Sequence, residues 1–68
     1  MELSTRNQLR GTVKFVTLGS VMAEVVVEVG DAELVAAITR RSAERLGLAE
    51  GDAVTLLVKA SDVMVAKD

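Results

Sequence analysis

The sequence contains no histidine, cysteine, tryptophan or tyrosine, and phenylalanine occurs once in 68 residues. Without His or Cys the chain lacks the commonest general base, a thiolate nucleophile and the ligands of soft metal ions. It also lacks the G-x-G-x-x-G and G-x-x-x-x-G-K-[ST] loops that hold nucleotide phosphates. An enzyme is therefore the class of function that the sequence supports least.

Features of nucleic-acid-binding and membrane proteins are also missing. OB-type binders of single strands stack bases on aromatic side chains in a basic groove, whereas this chain has one aromatic residue and a net charge of −2. No apolar run approaches the roughly 20 residues that span a bilayer, and no signal peptide is visible. We expect a cytoplasmic protein without nucleic-acid or membrane partners. A small oxyanion stays possible, because a local site can be basic on an acidic protein.

The length allows one domain, residues 1–68. Half of the residues are apolar, and the mean hydropathy is +0.37. A chain this short buries only about 60% of its unfolded surface, and neither disulfides nor Cys/His metal sites can stabilise it. One small core cannot cover so much apolar surface, so we expect a homo-oligomer.

The hydrophobic pattern predicts a mainly β fold. Leu9, Val13 and Phe15 alternate with polar residues, which indicates a half-buried strand with Phe15 in the core. Alternation from Ala23 to Val29 predicts a second strand with its apolar positions on one face. Strands are expected at 8–18, 21–29, 34–38, 53–59 and 62–66, with a helix at 39–46.

This order of elements is that of a small five-stranded OB-like Greek-key barrel with one short helix between strands three and four. Thr39 is suited to cap the N-terminus of the helix, and Gly47 is suited to end it. Barrel closure, or strand exchange between subunits, is expected to protect the edges of such a sheet.

Two segments carry donor groups suited to an oxyanion. Arg6 offers a planar fork of N–H donors that matches a tetrahedral anion, and the hydroxyls of Ser4 and Thr5 can add to it. Thr39 and Ser42 are three residues apart, so the predicted helix brings their hydroxyls to the same end.

A third segment begins at Lys59, which closes a predicted strand at the barrel rim and is followed by Ala60 and Ser61. In addition, Arg40 and Arg41 oppose the dipole at the start of the helix, a placement that a bound anion would relieve. Simpler interpretations are a loose chain end, a capped surface helix with solvated arginines, and a charged strand end. No segment is specific by itself. Their joint occurrence, in a chain without other chemistry, favours oxyanion binding.

The chain resembles the Mop-type molybdate-binding domains, or molbindins, from end to end. The matching segments include Ser-Thr-Arg-Asn-Gln-Leu-Arg-Gly at 4–11, Val-Met-Ala-Glu-Val at 21–25 and Lys-Ala-Ser-Asp-Val-Met at 59–64. The S-x-R-N-Q-L-x-G start and the K-A-[ST]-x-V-M finish are specific as a pair. The resemblance implies an OB-like barrel that assembles as a hexamer, a trimer of dimers.

It also implies a ligand and a role. Molybdate or tungstate would be bound between subunits, in a protein that stores molybdenum and catalyses nothing. The alternative is a structural or regulatory interaction module of the same fold without anion function. Thr5 stands where Ala is common and would contribute its backbone N–H, while Ala60 and Ser61 would lie beside the site. The implied ligands are Ser4, Arg6 and Lys59 from one subunit, with Thr39 and Ser42 from a neighbour.

Overall fold

The computed structural model describes residues 6–68 and shows a four-stranded antiparallel sheet with one short α-helix. The predicted mainly β architecture is confirmed. No helix in this part of the chain has the length and apolarity to cross a bilayer. The elements are β1 (Asn7–Leu18), β2 (Met22–Val29), β3 (Ala32–Thr39), α1 (Arg40–Leu46), β4 (Ala53–Val58) and a 3₁₀ turn (Ala60–Asp62).

The strands lie in the order β3-β2-β1-β4. β1 pairs with β2 on one side and with β4 on the other, while β2 also pairs with β3. Three consecutive strands followed by a fourth that returns beside the first is the order that defines a Greek key. β3 and β4 are the two edges of the sheet, and within residues 6–68 no pairing between them closes it into a barrel.

The core lies on one face of the sheet. Val13, Val25 and Val27 are buried there, as the alternation in the second strand predicts. Gly11 is required at a close approach of two strands, because a Cβ at this position would lie 2.5 Å from the carbonyl oxygen of Glu28.

A β-bulge at Lys14 reverses one sequence-based assignment. Val13 pairs with Val27, but the next pair is Phe15 with Val26, so Lys14 is an extra residue in β1. A shift of one residue turns every later side chain to the opposite face. Val16 therefore takes the inward position beside Val25, and Phe15 points outward with 51% of its surface exposed. The prediction that Phe15 lies in the core was wrong.

The fifth strand predicted at 62–66 is also wrong for the single chain. After β4 the chain forms the 3₁₀ turn, and residues 63–68 belong to no strand. Val63, Met64 and Val65 are exposed to 52%, 94% and 92%. The segment has an apolar run from Val63 to Ala66, but a strand also needs a neighbouring edge to pair with, and this segment pairs with neither edge of its own sheet.

Candidate functional site

Two of the predicted ligands, Arg6 and Lys59, lie at the same end of the sheet. The β1–β4 ladder ends at the pair Asn7–Val58, and Arg6 and Lys59 are the first residues beyond this pair, just outside the two strands. Both side chains are exposed. The ion pairs formed within residues 6–68 involve Lys14 and Arg40 as cations, so neither Arg6 nor Lys59 is neutralised by a carboxylate of this part of the chain.

The segment after Lys59 continues this end of the sheet. Ala60 and Ser61 lie in the 3₁₀ turn, which is held by a bond from the Asp62 N–H to the Lys59 carbonyl at 2.9 Å. Both residues are exposed beside Lys59. Two other predicted ligands, Ser4 and Thr5, lie outside the described residues.

The other two predicted ligands, Thr39 and Ser42, form a hydrogen-bonded pair where β3 passes into α1. Thr39 is the N-cap, in extended conformation with φ −70° and ψ 147°. The Ser42 backbone N–H donates to Thr39 Oγ1 at 3.1 Å, and the Thr39 hydroxyl donates to Ser42 Oγ at 2.8 Å. This arrangement leaves the Ser42 hydroxyl proton available to an outside acceptor. The predicted cap at Thr39 is confirmed, as is Gly47, which ends the helix at φ 63°.

The two arginines that follow Thr39 have different surroundings. Arg40 donates from Nε to Glu44 Oε1 at 3.0 Å and from Nη1 to the Gly19 carbonyl at 3.2 Å. Its charge is therefore compensated within the chain. Arg41 is exposed and takes part in no ion pair with residues 6–68. Both arginines stand where a cation opposes the helix dipole, but only Arg40 is compensated by partners within the described residues.

The Arg6–Lys59 pair and the Thr39–Ser42 pair lie at opposite ends of β1. The first pair extends the ladder beyond Asn7. At the other end Leu18 pairs with Ala23, and the adjacent Met22 pairs with Thr39. A straight strand of 12 residues extends about 36 Å, far beyond the reach of donors that share one tetrahedral ion. A single chain therefore keeps the two groups of predicted donors apart, and we call these two groups the half-sites.

The inner face of the sheet forms an apolar cleft of about 600 Å³. β3 and β4 both contribute to it, so the curled sheet brings its two edges to face each other. Its lining suits an apolar chain segment and not an anion. The lining residues include Val25, Val27, Ala36, Ile38, Leu46, Leu48, Val54 and Leu56.

Comparison with known proteins identifies the family. The model of the TOBE domain matches residues 3–65. The chain belongs to the TOBE domain family. It is 44% identical over 66 residues to molybdenum-pterin-binding protein 2 of Clostridium pasteurianum, covering 96% of this chain and 97% of that protein. Its resemblance to the Mop-type proteins is thereby confirmed.

Two further relatives support this assignment. This chain is 54% identical over 67 residues to the molybdenum-pterin-binding protein MopA of Rhodobacter capsulatus. The match covers 97% of this chain but only 25% of MopA. A molybdate-binding protein from Sporomusa ovata superposes with a TM-score of 0.94 at 49% identity, with 98% of this chain and 100% of that chain covered. Both are named for molybdenum ligands and neither for a reaction.

Two features of this TOBE domain were missed by sequence reasoning. The first is the pairing of Arg40 with Glu44 and Gly19; only the spacing of four between Arg40 and Glu44 indicated part of it. The second is the apolar cleft on the inner face of the sheet. The signal related to it was the apolar run from Val63 to Ala66, which was interpreted as a fifth strand of the same chain.

Proposed function

We propose that this protein binds molybdate or tungstate at sites formed between subunits, as a cytoplasmic molybdenum store without catalytic activity. The separation of the two half-sites along β1 carries the proposal. Arg6 and Lys59 supply positive charge at one end, and Thr39 and Ser42 supply hydroxyls at the other. Two chains placed end to end would complete each set with the donors that it lacks.

The chemistry of these donors suits a tetrahedral dianion. Molybdate carries two negative charges at neutral pH and offers only acceptors. Arg6 and Lys59 would neutralise it, and charge-assisted hydrogen bonds contribute about 1.5–3 kcal/mol each. Ser42 has a hydroxyl proton available for donation. Protonated phosphate would be disfavoured because it needs acceptors, whereas sulfate would be separated by cavity size and donor geometry.

The exposed apolar tail supports the oligomer that such sites need. Val63, Met64 and Val65 are apolar and exposed, while the cleft between β3 and β4 is apolar and open. β3 and β4 run in opposite directions, so an inserted strand would be antiparallel to one edge and parallel to the other. The tail of a second copy would supply the fifth strand and close each barrel. The proposed assembly is a hexamer built as a trimer of dimers.

The alternative function is a protein-interaction module of the same fold that does not bind anions. The outward row of Phe15, Val26 and Val35, which are neighbours across three strands, favours it. Phe15 and Val35 are exposed to 51% and 62%. In that case the half-sites would be unused, and the apolar row would contact another protein.

Titration calorimetry of anion-stripped protein with molybdate, tungstate and sulfate tests the proposal. We expect tight binding of the first two anions and no heat from sulfate. An intact oligomer that gives no heat with any of the three would favour the interaction module.

A mixing experiment tests whether the sites lie between subunits. One variant carries R6Q and K59Q, the other T39V and S42A, and each alone should fail to bind. After joint refolding, a site is complete only where a chain with intact Arg6 and Lys59 meets a chain with intact Thr39 and Ser42. If mixing is random, about a quarter of the sites meet this condition and bind again. Binding within one chain predicts no recovery, because every chain still carries a defect.

A further inference from the structure

We propose that Arg40 is a positioning residue of the oxyanion site: it anchors the 19–21 turn to the start of α1 and so fixes the direction of the Thr39 and Ser42 hydroxyls. This inference rests on the proposed function and adds a residue outside the donor set. Two of the five N–H groups of its guanidinium donate to Glu44 and Gly19, and these two bonds are the ones that the proposal uses.

Arg40 is joined to the turn twice. Its backbone N–H donates to the Val21 carbonyl at 2.8 Å, which extends the β2–β3 pairing by one step beyond Thr39. Its side chain reaches the Gly19 carbonyl at 3.2 Å. The turn itself is closed by the Gly19 N–H to the Met22 carbonyl at 2.7 Å. Arg40 therefore connects the turn between β1 and β2 to the start of α1, next to the Met22–Thr39 pair.

The position of Arg40 in the helix indicates that helix stability is not its main role. A cation in the first turn opposes the helix dipole. Arg followed by Glu four residues later is also the less favourable order for a helical ion pair. Glu44 orients the guanidinium. Its carboxylate accepts from Nε, and Nη1 is then directed at the Gly19 carbonyl.

The hydroxyls depend on this connection because Thr39 belongs to both elements. It ends β3, opposite Met22, and it caps α1 through Ser42. Ser20, Thr39, Arg40, Arg41 and Glu44 border a shallow depression of about 590 Å³ between the turn and the helix. Movement of the turn against the helix would change the shape of this depression and the direction of both hydroxyls.

A charge swap separates positioning from helix stability. In R40E/E44R the helical ion pair is restored in the favourable order and an acid stands in the first turn, but residue 44 cannot replace the bond to Gly19. The variants R40Q and R40E/E44R are compared with R45Q, which alters an exposed arginine of the last turn. Molybdate affinity is measured by calorimetry, and stability by thermal unfolding.

We expect R40Q to bind molybdate about tenfold more weakly, an effect of the size found for outer-shell partners of bound metals. The swap should unfold at a higher temperature than R40Q without recovering affinity, while R45Q binds like the wild type. Recovery of affinity in the swap would show that Arg40 only stabilises the helix. If R40Q fails to fold, R40K takes its place. Lysine keeps the positive charge but lacks the planar guanidinium that donates to two partners. Wild-type affinity in R40K would overturn the proposal. Failure of the wild type to bind would instead reject the proposed function.

Discussion

Arg6 and Lys59 each lie one residue beyond the last pair of the β1–β4 ladder, Asn7 with Val58. Two cations held at the same end of a strand pair repel each other. Within residues 6–68 no carboxylate forms an ion pair with either of them. A dianion between them would convert this repulsion into two attractive contacts.

Replacement of either cation should weaken oxyanion binding and leave the fold intact. We expect R6A and K59A each to lower molybdate affinity by about 10- to 150-fold, which corresponds to the loss of one charge-assisted bond. Calorimetry measures the affinity, and gel filtration with circular dichroism checks the fold. R10Q, a cation four residues along β1, is the matched control and should bind nearly as well as the wild type. Equal losses in R10Q and R6A would show a general charge effect.

Measurements of the free energy of unfolding should distinguish the role of Thr39 from that of Ser42. T39A removes the N-cap and should lower the free energy of unfolding by about 1 kcal/mol, besides weakening molybdate binding. S42A keeps the cap, because the Ser42 backbone N–H donates to Thr39, so it should weaken binding at nearly unchanged stability. Urea unfolding and calorimetry on both variants check this. Unchanged affinity in S42A would remove Ser42 from the donor set.

Removal of the apolar tail should dissociate the proposed oligomer. Deletion of residues 63–68 takes away the segment proposed to fill the cleft of a second copy, whereas deletion of 67–68 leaves Val63, Met64 and Val65 in place. Light scattering after gel filtration should find smaller particles only for the longer deletion. An oligomer of unchanged mass in both would contradict strand exchange.

Gly11 should tolerate no side chain. In G11A the new Cβ would lie 2.5 Å from the Glu28 carbonyl oxygen and 2.7 Å from a Val27 methyl group, and overpacking of this kind costs about 1–3 kcal/mol or more. G30A is the matched control: Gly30 has φ 58° but nothing within 4 Å of an added Cβ, so only backbone strain of about 1–2 kcal/mol is expected. If thermal unfolding showed G30A to be less stable than G11A, the result would contradict the close approach of β1 and β2 at Gly11.

Lys14 should contribute to stability in a pH-dependent way. Its hydrogen bond to Glu33, the charge of Glu33 and then that of Glu28 raise the pKa of Lys14 above its usual 10.5. A raised pKa stabilises the folded state below the unfolded-state value and loses this effect as pH rises through the folded-state value. The stability difference between wild type and K14M should thus shrink above about pH 10.5, as urea unfolding across pH 8–12 would show. A difference that stays constant over that range would mean that the ion pairs do not contribute.

Local features of this protein could be predicted from its residues alone. Alternation identified the inward face of β2, because one-sided burial imposes a period of two. Thr39 and Gly47 identified the ends of α1, because the capping hydroxyl and the left-handed backbone are properties of single residues. The absence of His and Cys, together with Arg6, Lys59 and the hydroxyl residues, indicated the class of ligand.

Features that depend on partners distant in sequence became visible in the folded chain. The bulge at Lys14 turned Phe15 outward, because strand register is set by the pairing with β2 and not by β1 alone. Residues 62–66 formed no strand, because hydrogen bonds need an edge that the chain does not bring to them. The two half-sites came to lie at opposite ends of β1 for the same reason: a sequence shows which donors exist, whereas the strand order shows which of them one chain can bring together.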